Sequence, residues 1–353
     1  MICIFVFLNF IFYETEGQKY EALSPDRNIR VSVEVRKSIS YTVKYKNSIL
    51  ILPSVINMSF QHDLINGGDP VVSDALTHFV NREIIPVVKE KKALIFDNYR
   101  ELIIHFKNHF AVHFRVYDDG VAYRFANSLP GDLTVTTEKA CFNFQSGTVA
   151  YYPQVTKRTD ADIFHTSFEE PYTTAELDTI TKNMFAFTPV LVQQENLPKV
   201  LITESDVDDY PGMFLGKGTS SDLTGIFAPY PLKEVVSGSG FRQKLVVERA
   251  SFIARTKGTR NYPWRIIAIA PTDADLLKND LVYRLAPDAG FSDFSWIKPG
   301  KSTEEWITGL NLYRVDFEAG LNTQTYKYYI DFAARFGFQY VMLDAGWSDV
   351  NCL

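Results

Sequence analysis

One stretch, Ser295 to Trp347, constrains the fold most, because there the residue pattern changes from alternation to a strand, a helix and a strand. Trp306 to Leu312 is a short mixed run that suits a first strand, and Gly320 and Asn322 mark a turn-rich connection after it. From Thr323 to Phe336, Tyr326, Tyr329, Ile330, Ala333 and Ala334 recur at the three-and-four spacing of an amphipathic helix. Gly337 is placed to end it in a left-handed cap. Phe338 to Leu343 is a continuous apolar run too short for a helix, as expected of a strand buried on both faces of a parallel sheet. It runs into Asp344-Ala345-Gly346-Trp347, which puts an acid and an indole at a strand's carboxyl end. In β/α barrels ligands sit on that face. The competing reading is an ordinary strand–helix–strand crossover whose Asp caps the next helix.

The chain ahead of that stretch alternates with period two. After the turn residues Ser24-Pro25-Asp26-Arg27-Asn28, Ile29, Val31, Val33 and Val35 alternate with polar neighbours, as do Tyr41, Val43 and Tyr45, and Ile49 to Leu52 follows. The stretch from Pro53 to about Pro86, with Asn66-Gly67-Gly68-Asp69-Pro70 inside it, reads as a long surface excursion. Strands resume at Leu102 to Phe106 and Ala111 to Tyr117, then turn at Asp118-Asp119-Gly120. Val121 to Phe125, Leu133 to Val135, Cys141 to Phe144 and Thr148 to Tyr152 read as further short strands. Others are expected at Phe187 to Val192, Val200 to Thr203, Gly225 to Phe227, Leu245 to Glu248 and Arg265 to Ala270, with a turn or two of helix at Asp273 to Asn279. Pro287-Asp288-Ala289-Gly290 marks a boundary.

With 353 residues, of which 46% are hydrophobic, the chain can bury a large core and hold two domains. A formal net charge of -6 with no basic run argues against a nucleic-acid partner. Cys3, Cys141 and Cys352 form neither a disulfide framework nor a zinc spacing. Ile2 to Tyr13 is an unbroken apolar block followed by polar residues, the pattern of a secretory leader, and it is too short to span a bilayer. Export is the expectation from it, and a buried first strand is the alternative. No P-loop, dinucleotide fingerprint, nucleophile elbow or H-E-x-x-H motif occurs, which removes most nucleotide, serine-hydrolase and zinc-protease chemistry from consideration.

Two acidic places interrupt the β pattern. Glu169 and Glu170 lie between Phe168 and Pro171; in an extended segment their side chains diverge, so one can face a site while the other is solvated. Carboxylates are hard oxygen donors suited to calcium when several converge, and a solvated loop with two acids is the alternative. Glu204, Asp206, Asp208 and Asp209 form an acidic turn without EF-hand spacing, which favours solvation over a cation site.

In their order and spacing, several segments together resemble glycoside hydrolase family 97, bacterial exported α-glucosidases and α-galactosidases. They are Ser24-Pro25-Asp26, the run from Asp118 to Phe125, Glu169 with Tyr172, Ile202-Thr203-Glu204 with Asp209 to Met213, Pro263-Trp264-Arg265, Ser295 to Lys301, and Asn322 to Trp347. The resemblance implies a mainly β chain, with an antiparallel β super-sandwich over residues 20–290 followed over residues 291–353 by the opening strand, helix and strand of a (β/α)8 barrel. Residues 1–19 would be a signal peptide and the protein periplasmic. It further implies a calcium ion bound in the barrel mouth, with Glu169 as the glutamate lent by the sandwich and the other ligands on later loops. An oligosaccharide substrate would meet Trp306, Asp344 and Trp347.

A barrel needs about 250 residues, and the resemblance implies that the catalytic acids lie further along it, beyond Leu353, so none is assigned here. Val315 to Thr323 is closer to the retaining, α-galactosidase-like branch than to the inverting, α-glucosidase-like one. After Lys301 the aromatic run usual in the family is reduced to Trp306, with Glu304 and Ile307 flanking it, and Ala345 stands where an acid is common. A noncatalytic carbohydrate-binding or scaffold module is the second reading.

Overall fold

The computed structural model describes residues 17–61, 70–88, 91–236, 243–291 and 293–344. The leader-like block and Trp347 therefore lie outside the described residues. Two compact units are distinguished. The larger contains Lys91–Glu234, Val246–Pro287 and the chain up to Pro86; the smaller contains Asp288 onward with Val87–Glu90 and Val235–Leu245.

The larger unit is built mainly of antiparallel β strands. Its first strands are β1 (Gln18–Leu23), β2 (Ile29–Val35), β3 (Ile39–Tyr45) and β4 (Ser48–Phe60), followed by β5 (Val72–Ile84), β6 (Ile95–Phe106) and β7 (Phe110–Tyr117). A very long strand, β8 (Gly120–Asn143), comes next, then β9 (Val149–Pro153), β10 (Tyr172–Glu176), β11 (Phe185–Phe187) and β12 (Val190–Gln193). The unit is completed by β13 (Lys199–Ser205), β14 (Met213–Lys217), β15 (Asp222–Phe227), β18 (Ala254–Asn261) and β19 (Trp264–Ala270), while β16 (Pro231–Val236) and β17 (Lys244–Arg249) pair as a separate ribbon.

Pairing resolves into two sheets. One runs β5-β6-β7-β8-β19-β13-β12-β9-β10 and the other β1-β2-β3-β4-β8-β15-β14-β11. Strand β8 is common to both. Its first part pairs with β7 and β19, and its last part with β4 and β15, so the two sheets share a corner. The alternation expected in the sequence is what fills the space between them: Ile29, Val31, Val33 and Val35 are buried while their neighbours are not. Tyr41 of one sheet packs on Phe114 and Tyr123 of the other, at ring separations of 5.9 and 5.4 Å. Each large side chain so buried contributes about 1.5–3 kcal/mol.

All seven residues of β19 are buried. One face supplies Ile267 and Ile269 to the main core; the other supplies Trp264, Ile266 and Ala268 to a second cluster with Tyr99, Tyr117, Leu281 and Leu285. The last two come from helix α2 (Leu281–Leu285), which follows α1 (Asp273–Lys278).

In the larger unit the structure revises two expectations. The supposed excursion after Pro53 is strand: β4 continues to Phe60 and β5 occupies Val72–Ile84, while residues 62–69 lie outside the described residues. Pro53, which has no N–H for a ladder, falls where the β3–β4 register shifts between Tyr41 and Val43. The segments from Val121 to Asn143, expected as separate strands, are the single strand β8. Within β8 the chain bulges at Pro130-Gly131: Lys257 pairs with Asp132 and Thr259 with Ser128, leaving Gly258 opposite three residues. A Cβ on Gly258 would lie 2.3 Å from the Leu129 carbonyl oxygen and 2.7 Å from that of Gly131. Gly258→Ala is therefore expected to cost about 1–3 kcal/mol; a thermal melt unchanged from wild type would show that the bulge relaxes freely.

In the smaller unit the first strand is not Trp306–Leu312, which forms turns, but β20 (Ser302–Thr303), paired in parallel with β21 (Tyr340–Val341). Between them lies α3 (Thr323–Phe336), with the expected boundaries. Asn322 caps its start by accepting from the Thr325 N–H at 2.9 Å, and Gly337 ends it at φ 70°. The expected strand–helix–strand order holds, shifted upstream at its first member. Trp306, Ile307, Tyr313, Ile330, Phe336, Met342 and Leu343 expose large apolar surfaces here.

Candidate functional site

Between β9 and β10 the chain leaves the sheet for residues 154–171, and the loop it forms is anchored at several points. The Val155 N–H donates to the Phe185 carbonyl at 2.8 Å. Phe164 packs edge-on against Phe185 and Phe214, and Phe168 lies against Phe187 and Phe214, with ring separations between 5.2 and 6.0 Å. Asp162 forms an ion pair with Arg249, whose guanidinium also lies 5.1 Å from the Phe164 ring centre. Burial alone would raise the Asp162 pKa, but the hydrogen bond and charge of Arg249 outweigh it and hold the carboxyl below its usual range.

On this anchored loop the two adjacent acids separate. Glu170 accepts a hydrogen bond from the Thr156 N–H at 3.0 Å, so its carboxylate is spent on the loop itself. Glu169 follows Phe168, which has a left-handed φ of 60°, and its side chain is exposed with no hydrogen bond or ion pair among the described residues. The pair lies in a loop ahead of β10 rather than in a strand, and the divergence comes from the loop geometry. Tyr172, the other residue of the E-x-x-Y pattern, donates its hydroxyl to the Pro189 carbonyl at 2.8 Å and fixes the start of β10.

Among the described residues no group of three or more His, Cys, Asp or Glu side chains could hold a metal ion. Calcium takes six to eight oxygens. Glu169 has the right donor chemistry, is unspent and is reachable, so this region fits the role of a single carboxylate donor and no more than that.

The acidic run after β13 is different from its appearance in sequence. Glu204 belongs to β13, where its Oε2 meets the Arg265 guanidinium at 2.5 Å and its Oε1 accepts from the Met213 N–H at 2.8 Å. Burial raises its pKa despite the opposing charge of Arg265. Asp206 faces Arg124 at 3.4 Å, and Arg260 reaches the Asp208 and Asp209 carbonyls. These acids serve arginines, and the expectation of a fully solvated turn holds only for the exposed Asp208 and Asp209 side chains.

In the smaller unit, Trp306 follows β20 and is 62% exposed, its backbone N–H held by the Glu304 carboxylate at 2.8 Å. Asp344 follows β21, and its backbone N–H donates to Glu305 Oε1 at 2.8 Å. Tyr326, in the first turn of α3, donates its hydroxyl to the same oxygen at 3.2 Å. Glu305 thus joins the segments that carry Trp306 and Asp344, and the sequence reading passed over it. A signal was present: Thr303 faces inward, and Glu305 is two residues on, where alternation puts it inward as well.

The family profile described as Glycosyl-hydrolase 97 N-terminal matches residues 23–287, and the one described as Glycoside hydrolase 97 matches residues 305–352. A retaining alpha-galactosidase of Bacteroides thetaiotaomicron is 36% identical over 335 residues, covering 94% of this chain and 50% of that protein. A probable retaining alpha-galactosidase of Streptomyces bingchenggensis is 27% identical over 235 residues, 66% of this chain and 31% of that protein. Among solved structures, a family 97 enzyme from Pseudoalteromonas sp. strain K8 in complex with acarbose superposes with a TM-score of 0.75 at 21% identity, covering 94% of this chain and 48% of that one. A beta-arabinopyranosidase gives a TM-score of 0.76 at 20% identity, over 94% and 51%. The chain spans about half the length, or less, of the relatives it matches. No helix among the described residues is long and apolar enough to cross a membrane. With a family profile matched over most of its length, the chain belongs to glycoside hydrolase family 97.

Proposed function

We propose that the protein carrying this chain is an exported, periplasmic, calcium-dependent α-glycoside hydrolase of the retaining, α-galactosidase-like type, acting on oligosaccharides. The observation that carries the reading is the 36% identity, along 94% of this chain, to a retaining alpha-galactosidase. Glu169 supports the metal part of it, as an exposed oxygen donor on an anchored loop with its neighbour Glu170 otherwise engaged. When bound, calcium would supply a fixed positive charge that orients substrate oxygens. Trp306 and Asp344 stand just after the two parallel strands, the side on which β/α folds bind ligands; Trp347 lies outside the described residues.

A retaining glycosidase uses two carboxyl groups about 5–5.5 Å apart, one as nucleophile and one as acid then base. No such pair is assigned among the described residues, and we expect both acids on later loops of the barrel. The residues of this chain would bind and orient. The second reading, a noncatalytic sugar-binding or scaffold module, makes the opposite prediction for turnover.

The test is hydrolysis of nitrophenyl α-galactoside and α-glucoside by the full-length gene product, with and without a chelator. Chelator-sensitive release from the galactoside is expected, and turnover of neither glycoside by the intact protein would leave the binding-module reading. Glu169→Ala is expected to raise the calcium concentration needed for half-maximal activity by about tenfold or more, with no change in melting temperature because the side chain is exposed. An unaltered calcium requirement would remove Glu169 from the site.

A further inference from the structure

Glu305 has no part in the function proposed above, yet it is the most constrained acid of the smaller unit. It is 2% exposed. Its carbonyl oxygen accepts from the Thr308 hydroxyl at 2.9 Å and the Leu310 N–H at 3.0 Å, closing the turn that carries Trp306. Its carboxylate Oε1 receives both the Asp344 N–H and the Tyr326 hydroxyl. One residue thereby fixes three things: the turn after β20, the first turn of α3 and the chain as it leaves β21.

A buried carboxylate is an expensive way to hold three segments, since it must be taken out of water. Here the outlay is larger still, because Oε2 is buried without a hydrogen-bond partner among the described residues. A carboxylate kept under those terms, at the carboxyl ends of two parallel strands, points to a demand for fixed geometry there rather than to stability. With so little exposure it is shielded from substrate and can act only through its neighbours. An acceptor with two lone-pair directions on one oxygen is suited to that task, since it takes a backbone N–H from one strand end and a phenol from the intervening helix together.

We propose that Glu305 is a positioning residue: it sets the chain at Asp344 against the turn carrying Trp306, so that the sugar-facing residues of the first two strand ends keep one relative placement. The proposal rests on the reading of the protein as an α-glycoside hydrolase. Misplacement of a binding group by about 1 Å can cost on the order of 10²-fold in rate.

The test measures kcat and KM of the full-length gene product on nitrophenyl α-galactoside, normalised to folded protein, for wild type, Glu305→Ala, Glu305→Gln and Tyr326→Phe. Glu305→Ala is expected to lower kcat/KM by about tenfold or more. Glu305→Gln, whose amide oxygen still accepts from both donors, should recover most of that loss, and Tyr326→Phe should fall between. Should Glu305→Ala fail to fold, the removal of one hydroxyl in Tyr326→Phe carries the kinetic comparison. Hydrogen exchange of the Asp344 amide is a second readout, needing no turnover: protection should be lost in Glu305→Ala and kept in Glu305→Gln. Wild-type kcat and KM in folded Glu305→Ala and Tyr326→Phe, or an Asp344 amide equally protected in Glu305→Ala, would overturn the proposal. Failure of wild type itself to hydrolyse either glycoside would count against the hydrolase reading, and the exchange measurement would still decide the tether.

Discussion

Glu138→Ala is expected to destabilise the sandwich by about 3–5 kcal/mol, the usual effect of leaving a buried charge without its partner. Arg265, on β19, is 1% exposed. Its Nε and one terminal nitrogen each donate to a Glu138 oxygen at 2.8 Å, in the two-pronged geometry that suits guanidinium and carboxylate. The other terminal nitrogen meets Glu204, and Tyr210 donates its hydroxyl to Glu138 at 2.9 Å. Without Glu138, Arg265 keeps one anion for its charge, and the Tyr210 hydroxyl loses its acceptor in a dry site. Urea unfolding at neutral pH, followed by the fluorescence of the buried Trp264, measures the loss. Glu138→Gln, which keeps an acceptor oxygen for Tyr210 or Arg265 but not the charge, should lose less than Glu138→Ala. Glu138→Ala within about 1 kcal/mol of wild type would mean that Glu204 alone suffices.

The second large effect is acid sensitivity centred on Glu101. This side chain, 6% exposed, receives His113 Nδ1 at 3.0 Å and Arg115 Nε at 3.2 Å on one oxygen, and His78 Nε2 at 3.1 Å on the other. Burial on its own would raise its pKa, but the His113 hydrogen bond and the Arg115 charge prevail and bring it from 4.5 down to about 2. A carboxyl whose folded pKa is depressed adds stability above its unfolded pKa and loses that contribution as pH falls towards the folded value. The window therefore runs from pH 4.5 down to about 2, and the amount at stake is about 3 kcal/mol. Unfolding free energies of wild type and Glu101→Gln from urea titrations should differ by that order at neutral pH and converge across the window. Parallel curves from pH 6 to the acid limit would show that the carboxylate is not held by these partners.

How much of this was legible in the chain depended on what each residue faces. Hairpins with one apolar and one polar face, such as β2 and β3, and the helix Thr323–Phe336 with its capping Asn322 and Gly337, follow directly from period and cap chemistry. Strand β5 did not, because on its inward side His78 and Arg82 meet the buried acids Glu101 and Asp97, and a polar lining erases the alternation that marks a strand. The single strand β8 was expected as separate pieces, since nothing local reveals that Gly258, over a hundred residues on, makes room for a bulge at Pro130-Gly131. Glu204 looked solvated for the same reason: its partner Arg265 is distant in sequence. Of the candidate site, Glu169 could be singled out only through the family resemblance, for two adjacent acids in a loop carry no intrinsic preference between water and metal. Glu305 was hidden by its twin Glu304, which is half-buried and caps the turn at Trp306.

Strand β8 runs unbroken from Gly120 to Asn143 and lends its edges to β7, β19, β18, β4 and β15 in turn. A ribbon held this way has no half that can let go alone: freeing the end near Phe142 strips β4 and β15, and freeing the end near Ala122 strips β7 and β19. Opening the larger unit to solvent is thereby an all-or-nothing event, and slowly exchanging amides on either side of the corner should report one and the same free energy.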